Sequence, residues 1–207
     1  MSKINLNDLS TIQYDVLKEL GNIGAGNATT ALAQLINKKV QIGVPQVRLL
    51  EFNEISSVIG SEENVMAGIL IMLSGEINGM MMFLMYPEVA RSMINVLMCD
   101  NSDSTDFNDI EISAVMEVGN IIAGAYLRSL SELTGLTIDV SVPMLQIDMA
   151  GAILSVPAIE FSKIGDKVLL IETEFDDEND KKDTITGYYI LVPELDSYEK
   201  ILESLGV

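Results

Sequence analysis

Two pairs of side chains in this sequence have the types and spacing for a shared chemistry: Glu19 with Asn22, and Glu117 with Asn120. In each pair the acid and the amide stand three residues apart, which places both on one side of a helix. One offset of 98 residues relates the two pairs, and at that offset Asp15 and Ser113 precede the glutamates by four positions. The chain has no histidine and a single cysteine, Cys99. That excludes an intramolecular disulfide, a thiolate or imidazole zinc cluster, and any Ser-His or Cys-His nucleophile. Chemistry, if any, falls to carboxylates, amides, hydroxyls or amines.

The segments around the pairs must be helices for this geometry to hold. Leu17, Leu20 and Ile23 form one apolar stripe while Asp15, Glu19 and Asn22 fall on another side; Met116, Val118 and Ile121 are set against Ser113, Glu117 and Asn120 in the same way. Gly21, Gly24 and Gly26 crowd the first helix, at about 1 kcal/mol each relative to alanine. Close packing on a sheet or on the twin helix, with Leu20, Ile23 and Leu35 in the core, is one compensation for that cost. A solvated polar face is the plain alternative for an isolated Glu and Asn, and recurrence at one spacing weighs against it.

The duplication extends beyond the pairs. Val44-Pro45 returns as Val142-Pro143 at the same offset, and Pro87-Glu88 returns as Pro193-Glu194, now 106 residues apart. The extra residues fit within Phe175 to Asp183, an acidic stretch read as an exposed hairpin loop; it lacks the glycine and the glutamate of an EF-hand calcium loop. Each half reads as a long helix (Leu9 to Asn37, Asn108 to Thr134), a strand ending near Val-Pro, a strand pair, and a helix opened by Pro-Glu. The break at Ser74 to Gly79 makes Met66 to Tyr86 a turn between two buried strands rather than a membrane span. The expected fold is α+β: a two-layer, largely antiparallel sheet with long helices on one face and an internal pseudo-twofold repeat of two α-β-β-β-α halves. Residues 1–207 then make a single domain of two homologous halves, about 1–100 and 101–207. The methionines at 80 to 82 are assigned to the core.

At 207 residues and 48% hydrophobic, the chain is long enough to bury a core. With 12 Lys and Arg against 31 Asp and Glu, the net charge of −19 disfavours nucleic acid and anionic membranes as partners and favours a basic protein surface. No apolar leader follows Met1, so the cytoplasm is the default compartment.

The pattern Asp or Ser, three residues, Glu, two residues, Asn, then small residues, resembles the signature of the CheC, FliY and CheX family of bacterial chemotaxis phosphatases. The likeness covers nearly the whole chain. Two motifs in about 200 residues, with the chain ending at Val207 just after the second Pro-Glu helix, are similar to the CheC branch and leave no room for a flagellar switch domain. The resemblance implies hydrolysis of the aspartyl phosphate of the response regulator CheY. By it, Asn22 and Asn120 orient the attacking water, and Glu19 and Glu117 pair with a basic residue of the regulator. An amide suits that task, because its carbonyl accepts from water while its NH2 donates elsewhere. No cofactor of its own is implied; Mg2+ comes with phosphorylated CheY. The resemblance also implies binding of the deamidase CheD, with Asp148 in the docking segment; a strand or loop with one exposed acid is the other reading of Asp148. For Asp15 and Ser113, contact with the partner and contact with the helix backbone remain open. Gly24 and Asn27 become Ile122 and Ala125 in the second copy, so unequal sites are expected. An internal twofold already provides two sites, so a monomer suffices. Competing readings are a non-catalytic adaptor for CheD or a receiver domain, and a structural flagellar component.

Overall fold

The most apolar stretch of the chain folds as two adjacent strands, β3 (Val65–Gly75) and β4 (Gly79–Met85), in the computed structural model, which describes residues 6, 8–35, 40–42, 46–161, 167–177 and 184–207. Every residue of β4 is buried. A strand apolar at consecutive positions needs cover on both faces. Gly79 opens β4 at φ 149°, with the Val192 carbonyl oxygen 2.3 Å from where a Cβ would stand, so only glycine fits that turn.

The remaining elements are α1 (Thr11–Leu35), β1 (Val40–Ile42), β2 (Gln46–Glu51), α2 (Phe52–Ile59), α3 (Pro87–Met98), α4 (Asp109–Thr134), β5 (Ile138–Val140), β6 (Met144–Met149), α5 (Ala150–Phe161), β7 (Lys167–Asp177), β8 (Thr184–Pro193) and α6 (Leu195–Ser204). All strand pairs are antiparallel, in the order β1-β7-β8-β4-β3-β5, with β2 also on β7 and β6 also on β3. Alternation divides the sheet's side chains between two cores. Ile69, Ile71, Phe83, Ile171 and Tyr189 face the long helices α1 and α4 together with α3 and α6. Met66, Met82, Leu84, Leu170 and Ile190 face Ile55 and Ile59 of α2 and Ile153 and Leu154 of α5.

The mixed, largely antiparallel class expected from the sequence is therefore the observed one, but helices cover both faces of the sheet, so the expected two layers are three and each expected α-β-β-β-α half gains a strand and a helix. Each run of elements contains four strands and an additional helix, and that helix covers the second face of the sheet. Helix α2 has only eight residues and follows β2 without a loop, its start held by Glu54 accepting from the Glu51 N–H at 2.9 Å. Helix α5 is apolar nearly all round and contains Pro157, so it carries no helical period to read. Pro193 also differs from its expected place. It pairs with Gly79 as the last residue of β8, the Glu194 N–H donates to the Asn78 carbonyl at 2.9 Å, and α6 starts beyond it. Pro87, by contrast, does open α3. Met80, Met81 and Met82 are buried as assigned, whereas Met72, Met98, Met144 and Met149 are exposed. Val44-Pro45, Asn37 and the tip of the acidic loop, residues 178–183, lie outside the described residues.

Among the described helices only α4 is long and apolar enough to cross a membrane. Here it packs against α1 and the sheet instead, with Val118, Ile122 and Leu127 in the core.

The core beneath the long helices contains three buried tyrosines. Phe83 and Tyr189 stack at 4.7 Å between centroids, and Tyr126 and Tyr189 at 6.3 Å. Burial pushes the ionisation of Tyr126, Tyr189 and Tyr198 well above the usual tyrosine range. The unfolded chain thus releases these protons first, so their contribution is complete below about pH 10 and is lost as pH rises beyond it. The Tyr198 hydroxyl has no hydrogen-bond partner among the described residues. Tyr198→Phe should therefore keep its stability at neutral pH and lose less than wild type between about pH 9 and about pH 11, as read by urea midpoints.

Candidate functional site

Helices α1 and α4 lie side by side on the sheet, and their glycines divide by what they face. A Cβ on Gly21 would stand 2.9 Å from the Val47 side chain, one on Gly119 would stand 2.6 Å from Ile69, and one on Gly24 would stand 2.4 Å from the Tyr126 ring. These three allow the close approach to sheet and twin helix. A Cβ on Gly26 or Gly124 would meet nothing within 4 Å, so both face open space.

Both helices start with reciprocal caps at equivalent positions. In α1 the Ser10 N–H donates to Gln13 Oε1 at 3.0 Å and the Gln13 N–H to Ser10 Oγ at 3.2 Å. In α4 the Asn108 N–H donates to Glu111 Oε2 at 2.8 Å, and Asn108 Oδ1 accepts from the Ile110 and Glu111 N–H groups. The second helix has an extra anchor. The Arg91 guanidinium, 4% exposed, pairs with the Glu111 carboxylate, 6% exposed. It also donates to the carbonyls of Ser104 and Asp106 and lies 4.6 Å from the Phe107 ring centre. The hydrogen bond from Arg91 first, and that from the Asn108 backbone second, hold the Glu111 carboxyl below the usual carboxylate range.

Past these starts come the motif residues. Glu19 and Glu117 are exposed, Asn22 and Asn120 half-buried. None of the four side chains makes a hydrogen bond or ion pair among the described residues. The Asn22 Oδ1 is shut away from solvent with no partner, whereas Asn120 lines an open groove. Ile23 and Ile121 are half-buried at the helix edge rather than in the core, Ile121 facing the same groove. Ser113 is tied to its own helix, its hydroxyl donating to the Asp109 carbonyl at 2.8 Å; Asp15 is exposed and makes no such bond.

The groove has a volume of ≈ 540 Å³ and runs between Asn27, Thr30 and Gln34 of α1 and Asn120, Gly124 and Arg128 of α4. Its α4 wall is an i, i+4 stripe from Asn120 through Gly124 to Arg128. Sequence reasoning missed Arg128, although this stripe was the signal available for it. Asp148 does not line the groove; it is half-buried on β6 opposite Met66, with Oδ1 accepting from the Met149 N–H at 2.7 Å. It immediately precedes α5, whose outer surface exposes Val156 and Ile159.

Two capped helices on one antiparallel sheet, each carrying an acid and an amide without a partner among the described residues, define an α+β protein with a twice-presented polar motif. The CheC-like family model matches the chain at residues 12–48 and 110–147, one window around each motif. Over 203 residues, 97% of this chain and 97% of that protein, the sequence is 34% identical to the CheY-P phosphatase CheC of Bacillus subtilis (strain 168). The chain belongs to the CheC-like family. Its fold is that of Thermotoga maritima FliY, with a TM-score of 0.73 at 23% identity over 95% of this chain and 97% of that one. A chain of the CheX-CheY-BeF3-Mg+2 complex from Borrelia burgdorferi superposes with a TM-score of 0.53 at 19% identity over 84% and 96%.

Proposed function

We propose that this protein is a cytoplasmic phosphatase that hydrolyses the aspartyl phosphate of phosphorylated CheY, using Asn22 and Asn120 to orient the attacking water and Glu19 and Glu117 to pair with a basic group of the regulator. The observation that carries this reading is the twofold presentation of an acid and an amide, with no partner among the described residues, at the same spacing on two helices 98 residues apart. An acyl phosphate is already activated, so an in-line water and neutralised charge are the main needs. A positioned amide meets the first, and Mg2+ brought by the regulator meets the second. The 34% identity to the B. subtilis CheY-P phosphatase supports the same activity. The chain works as one domain of two homologous halves, a reading supported by the repeated element order and by the symmetric strand order about β8 and β4.

The second site is the readier of the two. Asn120 stands in an open groove, whereas the Asn22 carbonyl must turn outward, exchanging places with its NH2, before it can accept from a water. In a CheY-P decay assay Asn120→Ala should therefore lose more acceleration than Asn22→Ala, and the double variant should decay as CheY-P alone. A double variant as active as wild type would overturn the assignment; a wild type that binds without accelerating decay would make the protein an adaptor. CheD binds on the opposite side, at Asp148 and the exposed Val156 and Ile159 of α5. Support for this comes from an acid standing beside an apolar helix surface.

A further inference from the structure

We infer that Arg128 is a specificity residue of the second site, where it receives a carboxylate from the docked regulator through the α1–α4 groove; this rests on the proposed function. Of the five cations whose side chains are described, three are engaged, and Lys18 and Arg128 are not. Arg48 pairs with Glu172 at 3.3 Å, Arg91 with Glu111, and the Lys200 ammonium donates to the Glu76 carbonyl at 2.7 Å. Arg128 is exposed and forms no ion pair or hydrogen bond among the described residues, even though Glu132 stands one turn on along the same groove. A free guanidinium in a chain of net charge −19 is out of keeping with its surroundings.

Its position explains what it is for. Arg128 lies two turns beyond Asn120 on the same stripe, with Gly124 between them, where even a Cβ would meet nothing within 4 Å. A partner that brings its phosphoryl group to Asn120 therefore comes down over the glycine and covers the arginine. Covering an unpaired charge is costly, whereas a guanidinium meeting a carboxylate two-pronged gains both energy and register. The docked surface must carry an acid at that point. At the equivalent position of the first helix stands Thr30, whose hydroxyl is already spent on the Gly26 carbonyl at 2.8 Å. The first site has no such anchor, and a regulator would be recognised less tightly there.

The test uses the Asn22→Ala protein, in which the second site acts alone, with CheY-P as substrate. Arg128→Ala should raise KM roughly tenfold with kcat held within about a factor of two, since the lost interaction is made on docking. Arg128→Lys should recover part of the loss, and the steep weakening of wild-type binding by salt should be shallower in Arg128→Ala. An unchanged KM, or a fall in kcat with KM untouched, would overturn the inference. Binding of CheY loaded with beryllofluoride and Mg2+ separates this from the phosphatase reading. If no variant accelerates decay, the phosphatase reading fails, yet a roughly tenfold weaker Kd for Arg128→Ala still upholds the anchor and an equal Kd removes it.

Discussion

Gly24→Ala should destabilise the protein by about 1–3 kcal/mol, whereas Gly26→Ala, two residues along the same helix, should stabilise it by about 0.5–1 kcal/mol. Helix propensity favours alanine equally at both positions. The difference lies in what the new methyl group meets. At Gly24 it would fall 2.4 to 2.7 Å from three atoms of the Tyr126 ring, which is 1% exposed and held against Tyr189. A ring so enclosed can yield only by moving its neighbours, and tightly packed interiors resist that. At Gly26 the methyl meets nothing within 4 Å. Urea midpoints of the two single variants decide the matter. Equal shifts for the two would show that α1 and α4 are not held together through Tyr126.

Arg91→Met should produce the second large effect, a fall of several degrees in Tm together with faster amide exchange at the start of α4. Removing the guanidinium leaves the buried Glu111 carboxylate without its donor and frees the Ser104 and Asp106 carbonyls that it tied down. Because the folded protein holds the Glu111 carboxyl below its unfolded value, this stabilisation is complete above about pH 4.5 and is lost as pH falls through the depressed value. The Arg91→Met variant should accordingly show a shallower loss of stability on acidification. Adding Glu111→Gln should restore part of the Tm, because a glutamine at that position still accepts from the Asn108 N–H, as Gln13 does from Ser10 in α1. A double variant no better than Arg91→Met would locate the damage in the loop from Ser104 to Phe107 rather than in an unpaired acid.

These two predictions concern contacts of different sequence range, and the same difference separates what could be read from the chain from what could not. The motif helices, their caps and the β3–β4 pair depend on neighbours within a few residues. The Glu19–Asn22 spacing and the apolar run of β4 therefore stand plainly in the sequence, whereas the first helix, expected to start at Leu9, starts only after the Ser10 cap one residue on. Helix α5 was missed because burial on all sides, around Pro157, leaves no period, and α2 because eight residues carry too little of one. Pro193 was misplaced because cross-strand pairing with Gly79, more than 100 residues away, keeps it in β8.

By itself the sequence determined that two equivalent helices carry an acid and an amide on one side, that no thiol or imidazole chemistry is available, and that the sheet is antiparallel in the main. Only the tertiary structure decided which glycines are packed and which are open, that Arg91 clamps the start of α4, and that Asn120 and Arg128 share a groove with residues of α1. The reason is physical. Local hydrogen bonds and side-chain periodicity are written in adjacent residues, whereas contact between surfaces about 100 positions apart exists only once the sheet has brought α1 and α4 together.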